Sequence, residues 1–325
     1  AQCAKNAQDH VANAEEIAVM GAFNSGCAKI IVPVLNQDPT GPMLMISHAN
    51  TNPGLTKVWD AGEPEKYYPT GKRNFARVVA ADDVQGMAAA QYLAQEKKVT
   101  SCAVIDDKAT FGQGLAKAFE GEAAKQGIKI ALTDSWDSKQ PNYVAMMQKI
   151  KASGADCLYI SADYTSNGGQ IMKDAVKTLG KATDFVMMAS NGFSGYSDLD
   201  ALPEAEGLLL TFTGLSIEGI TALGGAPSKF IADYKTKYGK DIDGAWALNG
   251  VGAFQALLSA VAQSGGTRAG AVDAVFGGKV SIPANESIMG VDLGFDSNGD
   301  LASKVVTVQT ITGGKEVDLK PWTVK

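Results

Sequence analysis

The chain has 325 residues, 45% of them hydrophobic, and a formal net charge of −6. That is apolar material for a sizeable core and length for two domains. The mild acidity speaks against nucleic acid, whose partners carry a basic face. No uninterrupted run of about 18 apolar residues marks a membrane span, and the two histidines, His10 and His48, leave little for histidine catalysis or a multi-histidine metal site.

Short apolar runs alternate with segments of helical period. Strands are expected over 17–23, 43–47, 76–79, 101–106, 128–132, 157–162, 185–189 and 208–212. Helices are expected to begin near Ala4, Cys27, Asp82, Gln113, Tyr143, Gly169, Pro227 and Ala245. Asp82 and Asp83 suit a helix start, because their side-chain oxygens accept from the unpaired first N–H groups. Strand and helix in alternation indicate an α/β protein with parallel sheets. A polar break at Glu96-Lys97-Lys98 precedes a fresh run of such units. A long helical stretch over 227–263 follows, then a β-like region over 287–296 and a strand-rich tail over 304–312. The pattern suggests two lobes, 1–97 with 215–289 and 98–214 with 290–325, and crossings near 98, 213 and 290.

In open parallel sheets ligands sit beyond the carboxyl ends of strands, at helix N-termini. Residues 17–23 are followed by Asn24-Ser25-Gly26 and a helix, whose bare N–H groups would welcome an anion while Ser25 adds a hydroxyl. An ordinary N-cap accounts for the same residues. The run MISHANTNPGLT, 45–56, passes from a buried strand into Ser47, His48, Ala49, Asn50 and Thr51 before Pro53 stops it. It is either a polar turn or a place where small residues let a ligand approach the backbone. Further on, Phe111 follows the strand at 101–106, Asp163 and Tyr164 follow 157–162, and Asn191 and Phe193 follow 185–189. Small donors thus fall in the first lobe and aromatics in the second, a division that suits a cleft gripping a small solute.

The cysteines are of two kinds. Cys102 and Cys157 lie inside apolar runs, as free buried thiols do. Cys3 and Cys27 sit among polar and small residues at segment edges. A disulfide closing that loop would stabilise by about 3 kcal/mol and would imply an oxidising compartment; two free thiols remain the alternative.

The segments GAFNSGCAKIIVPVLN, MLMISHANTNPGLT, RVVAADDVQGMAAAQYL, VIDDKATFGQGLAKAFE, ADCLYISADYTSNGGQIMKDA and MMASNGF recur, in this order, in a known family. The sequence resembles the periplasmic solute-binding proteins of the branched-chain amino acid type, which serve ATP-driven importers. The resemblance covers nearly the whole chain; the ISxAxTNPxLT-like and DDxxxFGxGLA-like runs are its most specific parts.

The resemblance implies a periplasmic binding protein fold of type I, with two Rossmann-like lobes, three crossovers and the solute in the cleft. It implies that Ser25, Ala49 and Thr51 hold a ligand's α-carboxylate and lie near its ammonium, and that Phe111 and Tyr164 cover the ligand from the second lobe. His48 becomes a rim residue that tunes ligand choice, and Cys3 and Cys27 fall near a family disulfide. Asn191 stands where amino-acid binders often place an acid against the ammonium; Asp163 is a substitute, or else the ligand is an ammonium-free aromatic or aliphatic carboxylic acid. Relatives carry a strand, a helix and a further strand ahead of the position of Cys3, so the first sheet is expected to lack its central strand. No enzyme activity and no cofactor are expected. The chain lacks GxSxG and GxxxxGK[ST], and Gly112-Gln113-Gly114 begins a GxGxxG that fails at Lys117, which weakens a nicotinamide enzyme. A sensor domain of the same fold is the other rival. The expected partners are a small carboxylate or amino acid and a membrane permease, for a monomeric periplasmic or otherwise extracytoplasmic protein whose signal peptide has been removed, with a lipid anchor ahead of this sequence as the variant of that expectation.

Overall fold

The computed structural model describes residues 2–324. In chain order the elements are α1 (Gln2–Ala12), β1 (Ala18–Met20), α2 (Ser25–Asn36), β2 (Leu44–Ser47), β3 (Phe75–Arg77), α3 (Asp82–Gln95), β4 (Ser101–Asp106) and α4 (Thr110–Lys125). There follow β5 (Lys129–Ser135), α5 (Val144–Ser153), β6 (Cys157–Ser161), α6 (Gly168–Leu179), β7 (Val186–Ala189), α7 (Ser197–Asp200) and β8 (Leu209–Phe212). The chain then becomes helical through α8 (Ile217–Leu223), α9 (Gly225–Tyr238), α10 (Ala245–Ala262) and α11 (Arg268–Phe276), and ends in β9 (Ser281–Ile282), β10 (Leu293–Gly294), β11 (Val305–Ile311) and β12 (Glu316–Thr323). It divides into two units. Unit 1 runs to Ala81 and resumes over Gly214–Lys304; unit 2 is Asp82–Thr213 with the tail from Val305.

Unit 1 is built on three parallel strands in the order β1-β2-β3. Strand β2 is buried on both faces, so its sequence is a continuous apolar run whose period of two sorts the side chains. Leu44 and Ile46 join Ala253, Ala256 and Leu257 of α10 and Ala271 and Val275 of α11. Met43 and Met45 join Ala28, Ile31 and Val32 of α2 and Ala7 of α1. A disulfide between Cys3 and Cys27, with Cα atoms 5.6 Å apart, ties α1 to α2. Helix α10, at 18 residues and mean hydropathy 1.3, is long and apolar enough to cross a membrane. Its small buried face packs on β1 and β2, which makes it the central helix of this core.

Unit 2 carries a seven-stranded sheet in the order β12-β11-β8-β7-β6-β4-β5. The strands β4 to β8 are parallel, and β11 enters antiparallel to β8. The edge strand β12 lies beyond the strand-rich tail expected over 304–312; its Glu316–Lys320 stretch alternates polar and apolar residues, and it contains Pro321, which a sheet tolerates at its edge. Cys102 and Cys157 face each other across β4 and β6 as free, buried thiols.

The unit boundaries lie at Ala81/Asp82 and Lys304/Val305, away from the expected 98 and 290. Packing explains both. Helix α3 lies against α4 so closely that a Cβ on Gly86 would come within 2.7 Å of Phe119 N and 2.8 Å of Ala118, so the stretch before the Lys97-Lys98 break belongs with unit 2. Leu293 and Leu301 belong to the core around β2, which keeps the chain in unit 1 past residue 300. The β-like region expected over 287–296 contracts to the two-residue pair β9–β10.

Candidate functional site

In unit 1 the candidate residues gather at the carboxyl ends of β1 and β2. Ser47, the last residue of β2, organises the turn: its hydroxyl donates to Ala22 O at 3.0 Å and accepts the N–H groups of Ala49 at 3.1 Å and Asn50 at 2.9 Å. The Asn50 amide donates to Phe23 O at 2.8 Å, and the Ser25 hydroxyl accepts the Asn52 N–H at 3.3 Å. Ser25 is buried at the first turn of α2 and keeps its own proton to donate. Asn24 precedes that helix without a side-chain cap bond, so the first N–H groups of α2 are not closed off by Asn24 in the way an ordinary N-cap would close them.

Three buried polar atoms in this turn have no hydrogen-bond partner: Thr51 Oγ1, Asn50 Oδ1 and His48 Nδ1. Thr51 is 1% exposed, and an unsatisfied buried hydroxyl costs about 1–3 kcal/mol. Their clustering at one strand end is the property of a turn that awaits a partner. Burial lowers the His48 pKa below its ordinary value, so the ring is neutral at pH 7 and can accept or donate one bond at Nδ1 according to tautomer. Beside the turn the Phe23 ring lies 6.1 Å from His48 and 5.9 Å from Trp246 at the start of α10. One turn further along α10, Asn249 is buried with its amide nitrogen unpartnered. Neither Trp246 nor Asn249 was singled out by sequence; each sits in an unremarkable helical run, and only the approach of α10 to β1 brings them near.

In unit 2 the corresponding strand ends close most of their polar groups on one another. Asp107, after β4, accepts from Ala109 N at 3.1 Å, Asp163 N at 3.2 Å and the Ser166 hydroxyl at 2.7 Å, which fastens the turn after β6 to the turn after β4. Asp163 Oδ1 accepts from Thr165 N and its hydroxyl and, at 3.3 Å, from Tyr196 Oη. Burial, with the Asp163 carboxylate adding to it, pushes the Tyr196 phenol up to about 12. The aromatic rings form the remaining surface. Tyr164 stands 4.9 Å from Tyr196 and meets Phe193 edge-on at 5.5 Å, while Phe111 lies so near Gly192 that a Cβ there would come within 2.9 Å of the ring.

Two expected contacts take other roles. Phe193 is 0% exposed and belongs to the core of unit 2, where it backs Tyr164. Asn191, 1% exposed, is consumed internally: its N–H donates to Gln85 Oε1 at 2.9 Å, its Oδ1 accepts from Gln85 Nε2 at 3.1 Å, and its amide donates to Thr213. Gln85 also accepts from Thr211 and donates to Asp82. The side-chain amide accepts from Gln85 and donates to Thr213, two roles that an amide fills at once, while the bond to Gln85 Oε1 comes from the backbone N–H. Sequence could not find Gln85 or Tyr196, because neither lies at a strand end. Among the described residues no group of His, Cys, Asp and Glu could hold a metal ion.

A profile of periplasmic binding proteins matches residues 1–315. An amino acid binding protein of Pseudomonas aeruginosa is 30% identical over 152 residues, which is 47% of this chain and 37% of that protein; the chain therefore matches well under half the length of that relative. Among solved structures, a leucine-binding protein of Thermotoga maritima superposes with a TM-score of 0.81 at 22% identity, over 98% of this chain and 83% of that one. A solute-binding protein of Rhodopseudomonas palustris, solved with p-hydroxybenzoic acid, does so with a TM-score of 0.80 at 16% identity, over 100% and 83%. At such identities the two structures speak to the fold. With a family profile spanning almost its whole length, and two α/β units each presenting a strand-end surface, the chain belongs to the periplasmic binding protein family.

Proposed function

We propose that this chain is the solute-binding component of an ATP-driven importer, working outside the cytoplasm and delivering a small carboxylate-bearing solute, an amino acid of the branched-chain kind, to a membrane permease. The observation that carries the proposal is the unpartnered, buried Thr51 hydroxyl beside Ser25 and the uncapped start of α2. A carboxylate there gains hydroxyl and N–H donors and the positive end of the helix dipole. Ala49, small and buried, permits close approach; His48, Phe23 and Trp246 provide an apolar wall. Phe111, Tyr164 and Tyr196 serve the solute's side chain, and Asp163, whose Oδ2 has no partner among the described residues, serves an ammonium. The relative named for amino acids supports this choice. The reading assigns no turnover to the protein.

The engagement of Asn191 with Gln85 and Thr213 favours one second reading, an aromatic carboxylic acid without an ammonium. A thermal-shift series with L-leucine, its deaminated keto acid and benzoate decides. At a ligand concentration of 100 times Kd the stabilisation reaches about 2.7 kcal/mol. L-leucine acting where the keto acid does not supports the amino acid; benzoate acting alone supports the second reading; no shift from any of the three removes both. Small-angle scattering addresses the hinge closure that the family resemblance implies, and an unchanged radius of gyration at saturation removes closure from the proposal.

A further inference from the structure

Arg77, the last residue of β3, is 0% exposed. A buried guanidinium is costly unless every donor is used. Its Nη1 donates to two backbone carbonyls, Asn50 O at 3.0 Å and Asn52 O at 2.9 Å, the two that flank Thr51. Its Nη2 donates to the Thr56 hydroxyl, and its Nε to Asp300 Oδ1 at 2.7 Å. Asp300 in turn is held by Lys57 at 3.1 Å. The turn that supplies Asp300 is seated on β3: Arg77 N–H donates to Gly299 O at 2.9 Å, and Gly299, at φ +90°, leaves no room for a side chain, since a Cβ would come within 2.3 Å of Phe75 O.

The consequence for Thr51 follows from peptide geometry. The Asn50–Thr51 bond is not among the cis bonds of the chain, so the Asn50 carbonyl and the Thr51 N–H point in opposite directions. Drawing the carbonyl down to the guanidinium turns the N–H up and away from it. That N–H has no partner among the described residues, and neither has the Thr51 hydroxyl. Two donors of one residue are thereby held free together, and a neutral or shorter side chain at position 77 could not span the two carbonyls and the carboxylate.

We propose that Arg77, locked by Asp300, is the positioning residue of the carboxylate-binding turn: it sets the Asn50–Asn52 backbone so that Thr51 offers its N–H and hydroxyl as a pair. The proposal rests on the solute-binding reading above. Arg77 touches no ligand; it acts through the two carbonyls.

The test uses Arg77→Lys and Asp300→Asn, with Arg77→Met as the harsher variant. Lysine keeps the charge and loses the fork. Calorimetric titration with L-leucine and with benzoate is expected to show Kd raised about tenfold or more in Arg77→Lys relative to the wild type. Amide exchange in the free protein is expected to quicken at Asn50 and Asn52 while Met45 and Ile46 of β2 keep their protection. A folded Arg77→Lys protein that binds within about twofold of the wild type, with unaltered exchange at Asn50 and Asn52, overturns the proposal. If the wild type binds neither probe, the solute reading fails on its own. Exchange then decides the hold of Arg77 on the turn: unchanged protection at Asn50 and Asn52 in both Arg77→Lys and Asp300→Asn overturns it. If Arg77→Met does not fold, the other two variants carry the measurement.

Discussion

The two units present the same architectural feature, the carboxyl ends of parallel strands, in opposite states. In unit 1 the turn after β2 keeps buried donors and acceptors unpaired on Thr51, Asn50 and His48. In unit 2 the turns after β4, β6 and β7 close their polar groups on one another, through Asp107 with Ser166, Asp163 with Thr165, and Asn191 with Gln85. What unit 2 leaves over is aromatic surface and one carboxylate oxygen, Asp163 Oδ2. The difference separates recognition into two chemistries. Unpaired donors are improved by an anion and by little else. The largely closed turns of unit 2 rigidify a platform whose selectivity is shape and π-surface, with Asp163 Oδ2 as the remaining charged acceptor of those turns.

Acid should separate the two units most, because the two most strongly depressed buried carboxyls, Asp300 and Glu63, both lie in unit 1, whereas unit 2 sets a lowered Glu122 against a raised Glu316 and Asp200. Burial alone would raise Asp300 and Glu63 of unit 1. Arg77 and Lys57 override it at Asp300, as do Lys29 and the Tyr67 phenol at Glu63, and both carboxyls are held down to about 2. Each contributes on the order of 2 kcal/mol at neutral pH. For a depressed carboxyl that contribution is complete above its unfolded value and is lost as pH falls through the folded one, here between about 4.5 and 2. In unit 2, burial raises Glu316 and Asp200, and protonating them relieves the folded state. Amide exchange at descending pH should therefore release β1, β2 and β3 before the sheet around β4 and β6. Simultaneous release of both sheets would show that the ion pairs of unit 1 do not set its acid stability.

A paired substitution sharpens the contrast at single residues. Asn191→Ala removes two buried side-chain hydrogen bonds, one accepted from Gln85 Nε2 and one donated to Thr213, and should cost about 1–2 kcal/mol of stability. Thr51→Val removes a hydroxyl that has no partner to lose, so the melting temperature should hold or rise slightly while Kd for L-leucine rises about tenfold. Denaturant melts and titration calorimetry of the two variants check this. A Thr51→Val protein that is destabilised yet binds normally would make the turn a structural one.

How much of this was legible in the chain follows from what each feature depends on. The alternation of apolar runs and helical segments located β2, β4 and β7 to within a residue or two, since a buried parallel strand is a local property of hydrophobicity. The turn at 47–51 stood out because four polar residues, Ser47, His48, Asn50 and Thr51, around a small Ala49 interrupt such a run. Asn191 and Phe193 stand at the expected strand end, but their burial and their bonds and packing within unit 2 were not readable from it. Whether an amide at a strand end faces solvent or Gln85, more than a hundred residues away in sequence, is decided by tertiary packing. Arg77 and Asp300 stayed silent for the same reason: nothing in FARVVA or DSNGDL says that the two charges meet under the Thr51 turn. The unit boundaries were misplaced because the charged break at Lys97-Lys98 is the solvent end of α3, whose small residues, Gly86 among them, had already committed it to α4.

The smallest expected effect belongs to His48, and it has two opposed parts. Burial lowers the ring's pKa, so protonation is costlier in the folded chain than in the unfolded one. Stability is then complete above the unfolded value of 6.5 and declines as pH falls from there toward the folded pKa. Binding should respond with the reverse sign, because a carboxylate seated near Nδ1 favours the charged ring, and linkage requires that protonation favour the carboxylate equally. Between pH 7 and pH 5 the wild type should thus lose a little stability while binding a carboxylate more tightly. His48→Gln, which keeps a polar group and cannot titrate, should flatten both trends. Thermal melts and calorimetric titrations across that range supply the two slopes. If affinity stays level in the wild type while stability falls, His48 is buried apart from the bound carboxylate, and the anion-binding region of unit 1 contracts to Ser25, Thr51 and the start of α2.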